Sequence, residues 1–233
     1  MPATPSRIQS ATGLNTTFVS TVSATFGSPN ASGNTLMLAV EIDTGAVNSA
    51  NTPTDTAGNT YQRILSRSVA ATFNLEIWVA YNCRSGSNTV TVTDSGGGVD
   101  SIVVVEEWAG ISSVQRTDNA TSINGSSTSL NSGSITTQNT LDVIWCAGVA
   151  SNASASLSLG TGFSNLVQNN TGFTNLGCSS LISTTTNAYS GLFTATPSAV
   201  WICAVVALRA GYNNSLGAHI SVGNGMSRSE VSN

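Results

Sequence analysis

Apolar residues in this chain come in short runs with a period of two, broken by Gly, Asn, Ser and Pro. The most apolar run is 200–208, Val-Trp-Ile-Cys-Ala-Val-Val-Ala-Leu. A membrane span takes about 20 such residues, so this run is too short for one. Its length and its β-branched and aromatic content predict a strand. Trp201, Cys203, Val205 and Ala207 would face one way, and Ile202, Ala204, Val206 and Leu208 the other. Both faces are apolar. One predicts a sandwich core, and the other predicts a second cover: a loop, a tail or another subunit.

The same period recurs along the chain. Leu36, Leu38, Val40 and Ile42 share a face opposite Met37, Ala39 and Glu41. Leu75, Ile77, Val79 and Tyr81 lie opposite Glu76, Trp78 and Ala80, and residues 102–108 and 141–150 read as further long strands. Shorter strands are predicted at 16–26, 60–66, 89–93, 163–168, 176–183 and 189–194. Turn chemistry separates them: Gly27-Ser28-Pro29, then Asp55-Thr56-Ala57-Gly58-Asn59, where Gly58 or Asn59 suits a positive φ. No window shows a helical period with caps. The pattern predicts an all-β fold, a two-sheet antiparallel sandwich of jelly-roll type with about 10 to 12 strands. Residues 1–14 read as a polar lead-in, 15–210 as the sandwich, and 211–233 as a polar tail or assembly arm. The polar stretch 112–134 offers short strands at most.

Composition narrows the function. Charged residues make up 8 % of the chain, lysine is absent, and the formal net charge is −4. No basic stripe exists for nucleic acid, and no polybasic segment for a membrane surface. The N-terminal residues carry no apolar signal-peptide core, so an extracellular setting would be reached without a Sec signal.

The four cysteines form no Cys-x-x-Cys pair, and His219 is the sole histidine, which argues against zinc. Cys146 and Cys203 sit within apolar strands, as buried thiols or as a bridge between neighbouring strands. Cys83 and Cys178 lie nearer strand ends and are a candidate disulfide.

Catalytic signatures are thin. Glu41 and Asp43 resemble the start of the Glu-x-Asp-x-x-Glu strand of jelly-roll glycanases, but the third acid is missing. Glu106 and Glu107 are adjacent, so they face opposite ways; one of them could share a face with Glu41 or Glu76. Gly-x-Ser-x-Gly and a phosphate-binding Gly-rich loop are both absent. Asp94, Asp100 and the 55–59 turn carry hard oxygen ligands for Ca²⁺, without a recognised spacing. No catalytic residue, cofactor or metal is expected. Trp78, Trp108, Trp145 and Trp201 lie beside aliphatics and predict core or interface positions. Tyr61, Tyr189 and Tyr212 are the better candidates for exposed contacts.

Ser32-Gly33-Asn34-Thr35-Leu36, Asp55 to Tyr61, the stretch 103–110 ending Glu106-Glu107-Trp108-Ala109-Gly110, and Trp201 with Ala207-Leu208-Arg209 follow one another in an order that resembles β-sandwich domains of phage structural and bacterial surface proteins. The resemblance covers about residues 15–210 and implies a fold and a setting, virion or cell surface. The expectation is a non-enzymatic structural protein on a particle, a phage decoration or tail-associated protein, self-associating and contacting other virion or surface proteins. Trp201, Cys203, Val205, Leu216, His219, Ile220 and Val222 are its interface candidates. An extracellular adhesin or carbohydrate-binding module with glycans as partners is the alternative, and a jelly-roll glycanase a further one.

Overall fold

The structure is a computed structural model that describes residues 4–43, 49–69, 72–114, 117–152 and 155–211. Among the described residues there are fourteen strands and no helix. The first half supplies β1 (Ser6–Asn15), β2 (Thr21–Thr25), β3 (Thr35–Asp43), β4 (Thr54–Asp55), β5 (Gln62–Val69), β6 (Phe73–Ala80), β7 (Thr89–Thr93) and β8 (Ser101–Ala109). The second supplies β9 (Thr117–Thr136), β10 (Asp142–Ser151), β11 (Ser156–Leu159), β12 (Ser164–Asn170), β13 (Asn175–Ile182) and β14 (Ala188–Arg209).

All pairings between these strands are antiparallel. The first half makes a central sheet, β1-β8-β3-β6-β5, and a small sheet, β2-β7-β4. Pairing is nested: β1 with β8, β2 with β7, β3 with β6. That is the rolled-up hairpin of a jelly roll, with β5 moved onto the central sheet beside β6. The second half makes a sheet in the order β11-β14-β10-β13-β12, with β9 also on β14. The all-β sandwich class therefore holds, with a third sheet added.

The central sheet is buried on both faces. Leu36, Leu38, Val40, Val103 and Val105 pack with Val22, Ala24, Val90 and Val92 of the small sheet. Met37, Ala39, Leu75, Ile77, Ile102 and Val104 pack with Val143, Trp145, Ala147, Ile202, Ala204 and Val206 of the second-half sheet. Strands covered on both sides read as near-continuous apolar runs, which is why β3, β6 and β8 stand out in the sequence.

The second cover of residues 200–208 is the chain itself. β9 and β14 form one long ribbon whose register breaks between Thr194 and Ala199. Beyond that break the ribbon, with β11 on its far edge, lies over the outer face of β10, β13 and β14. Leu130, Leu157, Phe193 and Ala195 pack there on Cys146, Ala150, Trp201 and Cys203, and Ile135 packs on Ile144, Val205 and Ala207. Small residues permit the approach: a Cβ at Gly148 would lie 2.7 Å from the Phe193 ring, and one at Gly191 would overlap Cys146 Sγ. The flap adds a fourth layer.

Three expectations change. Residues 6–14, read as lead-in, belong to the edge strand β1. The polar stretch 112–134, read as offering short strands at most, is largely taken up by β9, which runs 20 residues and ends at Thr136. The 189–194 and 200–208 strands are one strand, β14.

Candidate functional site

The interface candidates separate into two groups. Trp201, Cys203 and Val205 are 6 %, 0 % and 0 % exposed beneath the flap, so the face they share is closed by this chain, not offered to another. Leu216, His219, Ile220 and Val222, like Tyr212, lie outside the described residues.

The candidate disulfide is corrected: all four cysteines are free and buried. Cys83 belongs to the core on one side of the central sheet and Cys178 to the core on the other, so that sheet stands between them. Cys146 and Cys203 do approach, with Sγ atoms 3.8 Å apart, and burial pushes the Cys146 thiol pKa well up.

The glutamates are internal fixtures. Glu106 is fully buried; its Oε2 accepts from the indoles of Trp108 (2.9 Å) and Trp145 (2.8 Å), and its Oε1 pairs with Arg7 at 3.1 Å. Glu107 faces the opposite way and accepts from Gln9, Asn30, Asn34 and the Ala31 amide. Those donors outweigh burial and hold its pKa below the usual value. Glu76 accepts from Trp78, Asn74 and the Ala50 amide beside Arg63.

Glu41 and Glu106 share one face, but Glu41 pairs with Ile102 and Glu106 with Met37. Four residues of strand separate them, roughly 13 Å at about 3.3 Å per residue. Glycosidase carboxyls lie about 5 to 9.5 Å apart. Glu76 and Glu107 are offset by the same four residues, opposite Val40 and Leu36.

Two of the calcium candidates, Asp55 and Asp94, are likewise engaged. Asp55 accepts from the Asn59 amide (2.9 Å), its side chain (2.7 Å), the Tyr61 hydroxyl (2.8 Å) and Asn88 (3.0 Å), and Gly58 takes the positive φ of 73°. Tyr61 is therefore buried, not an exposed contact. Asp94 accepts from the Gly96 and Gly98 amides.

An open pocket of about 230 Å³ is lined by Phe18, Asp43, Val99, Asp100 and Phe173. Two loops hold it. After β1, Asn15 Oδ1 accepts from the Thr17 amide, while its Nδ2 donates to the carbonyls of Val19 (2.6 Å) and Val99 (2.9 Å). This fixes Phe18 in the left-handed region at φ 55°, a costly conformation for an aromatic residue. The Phe18 carbonyl lies where a Cβ of residue 98 would be, and Gly98 leaves that space empty. Between β12 and β13, Thr171 Oγ1 accepts from the amides of Phe173 (3.0 Å) and Thr174 (2.9 Å) and shapes the turn. Phe18 is 67 % exposed and Phe173 62 %, and they are the two aromatic residues that are exposed rather than buried or half-buried among the described residues.

The floor is acidic. The Asp43 amide donates to the Asp100 carbonyl at 2.9 Å. Asp100 is 3 % exposed, and its Oδ1 has no hydrogen-bond partner. Burial raises the pKa of Asp100. Beneath them Glu41 is wholly buried; burial first, then the Asp43 and Asp100 charges, push its pKa well up, against Thr174 and the Ile102 backbone. The five described arginines sit elsewhere: Arg7 at Glu106, Arg63 at Glu76, Arg67 at Asn124, Arg209 at Asp118, and Arg84 over Gly58.

Sequence reasoning missed this pocket. The sequence pattern marks Asp43 and Asp100 for other roles and puts Phe18 inside a strand. The available signal was Phe173, a large apolar residue within the turn sequence Asn-Asn-Thr-Gly-Phe-Thr-Asn.

The fold and site define a jelly roll extended by a second, flap-covered sheet, with one acid-floored aromatic pocket. No protein-family model matches the chain, nor does any curated protein or solved structure. Among the described residues no helix is long and apolar enough to cross a membrane.

Proposed function

We propose that this chain is a non-catalytic β-sandwich of a particle surface, a virion being the setting, held at one end and binding through the Phe18–Phe173 pocket at the other. One observation carries the reading: the pocket lies at the pole opposite the one where β1 begins and β14 ends. Ser6 pairs with Ala109, the Gly211 amide donates to the Gly110 carbonyl, and Gly110 abuts Pro5. At the far end of the same β1–β8 ladder, Asn15 pairs with Ser101, beside Asp100. Nine residue steps separate the poles, about 30 Å at ~3.3 Å per residue. That geometry suits a module anchored at its first pole and presenting its second. The closure of the flap over residues 200–208 moves the weight of the reading from that strand to the two poles.

The test is binding to isolated particles and host surfaces, alongside native mass by light scattering. The wild type is expected to bind and to run as a multiple of its 23.7 kDa chain. Phe18→Ser/Phe173→Ser should lose surface binding at unchanged mass. A monomer whose surface binding is absent, or indifferent to both substitutions, overturns the reading.

A further inference from the structure

We propose that the Phe18–Phe173 pocket takes a protonated primary amine, such as a lysine side chain presented by a partner, with Phe18 and Phe173 flanking the ammonium and Asp100 accepting from it. This deepens the functional reading above and rests on it.

The argument begins with Asp100. A buried carboxyl oxygen without a donor is unfavourable, and native structures rarely keep one without a reason. Here Oδ1 is bare while the residue lines an open pocket. A donor that arrives through the mouth would supply the missing partner. Asp43 lines the same pocket, and no described arginine lines it. The charge balance calls for a cation. The walls agree: an aromatic ring face attracts a cation through its quadrupole, and both exposed Phe rings stand at this mouth.

Donor count then selects among cations. An ammonium carries three N–H donors on a slender stem, whereas a quaternary ammonium carries none. The stem's methylenes suit Val99 and the Phe rings. The Phe18 backbone supplies a separate line of support. A left-handed φ on an aromatic side chain is sustained here by Asn15 and Gly98, and such conformations concentrate at ligand clamps.

The experiment titrates the full chain with Nα-acetyl-lysine methylamide at low salt, following ring and methyl NMR resonances of Phe18, Phe173 and Val99. The expected result is saturable shifts confined to this pole. The uncharged norleucine analogue, choline and methyl β-glucopyranoside should each bind at least tenfold more weakly. Asp100→Asn should weaken the amine at least tenfold. Phe173→Ala, on an exposed turn, gives a second variant should the first fail to fold, and is expected to weaken it several-fold. Equal binding of the norleucine analogue, or an unchanged affinity in either folded variant, overturns the proposal. Tighter binding of the pyranoside overturns the amine while leaving a binding module in place. Loss of the particle and surface binding described above is a separate readout, so the two readings fail independently.

Discussion

Glu106 shows how one residue joins two sheets. It belongs to β8 of the central sheet, yet Trp145 of β10 donates to it across the core, and Arg7 reaches it from the edge strand β1. Burial raises its pKa, while the two indoles and the guanidinium oppose that rise. Removing the acceptor strands both indole donors in the interior and costs Arg7 its ion pair, leaving it the Asn165 carbonyl; breaking a buried charged network from one side costs about 3 to 5 kcal/mol. Glu106→Ala is expected to lower stability by that order in urea unfolding. Glu106→Gln keeps one carbonyl oxygen for the indoles and should lose less. Equal losses in the two variants would show that volume, not hydrogen bonding, sets the cost. Glu106 was readable as a strand residue on the face opposite Glu107. Its partners were not, because Trp145 and Arg7 lie 39 and 99 positions away.

At the scale of elements, the flap decides what residues 200–208 do. Its contact with β10 relies on Gly148 and Gly191, which leave room for Phe193 and Cys146. Phe193 is 1 % exposed and fills the space over Gly148. Phe193→Ala removes that ring at a cost of about 3 to 5 kcal/mol and should loosen the flap before the rest of the fold. The readout is thiol chemistry. Native wild type should leave Cys146 and Cys203 unreacted with a disulfide reagent, whereas Phe193→Ala should label them while far-UV circular dichroism still shows strand. Labelling of the wild type at the same rate would mean that the flap does not seal them. The sequence announced β3, β6, β8, β10 and the second half of β14, because strands buried on both faces cannot hide their composition. It concealed β9, where Ser, Thr and Asn dominate and whose side chains are largely half-buried or exposed; backbone pairing to β14 carries that strand. It likewise divided β14, since Thr196-Pro197 marks a break in apolar pattern but not in the chain's course along the ribbon. The pocket hid for a different reason. Its acids lie at strand ends and its aromatics on two loops distant in sequence, so periodicity carries no trace of their meeting.

For the molecule as a whole, the balance of buried acids sets the pH of greatest stability. Burial raises the pKa values of Glu41, Glu76, Asp100, Glu106 and Asp142. Asp142 rises to about 7: burial is the first cause, the neighbouring Asp118 adds to it, and Asn139 and Arg209 oppose it. A carboxyl whose folded pKa is raised holds its proton better in the native state, so its contribution to stability falls as pH climbs from the ordinary value of about 4 to the raised one. Asp55 and Glu107 act in the opposite sense. Their hydrogen-bond donors lower their pKa values, and the stability they contribute is lost as pH drops below about 4. Five groups against two place the optimum on the mildly acid side of neutrality. The urea midpoint is expected to rise from pH 8 to pH 5 and to fall again below about pH 4. Asp142→Asn should flatten the limb between pH 5 and 7, because an amide at that position neither binds nor releases the proton beside Asp118 and Arg209. A midpoint that falls steadily from pH 8 to pH 5 would mean that these carboxyls are hydrated or paired in solution. The layered packing that seals them would then be looser than the four-layer core requires.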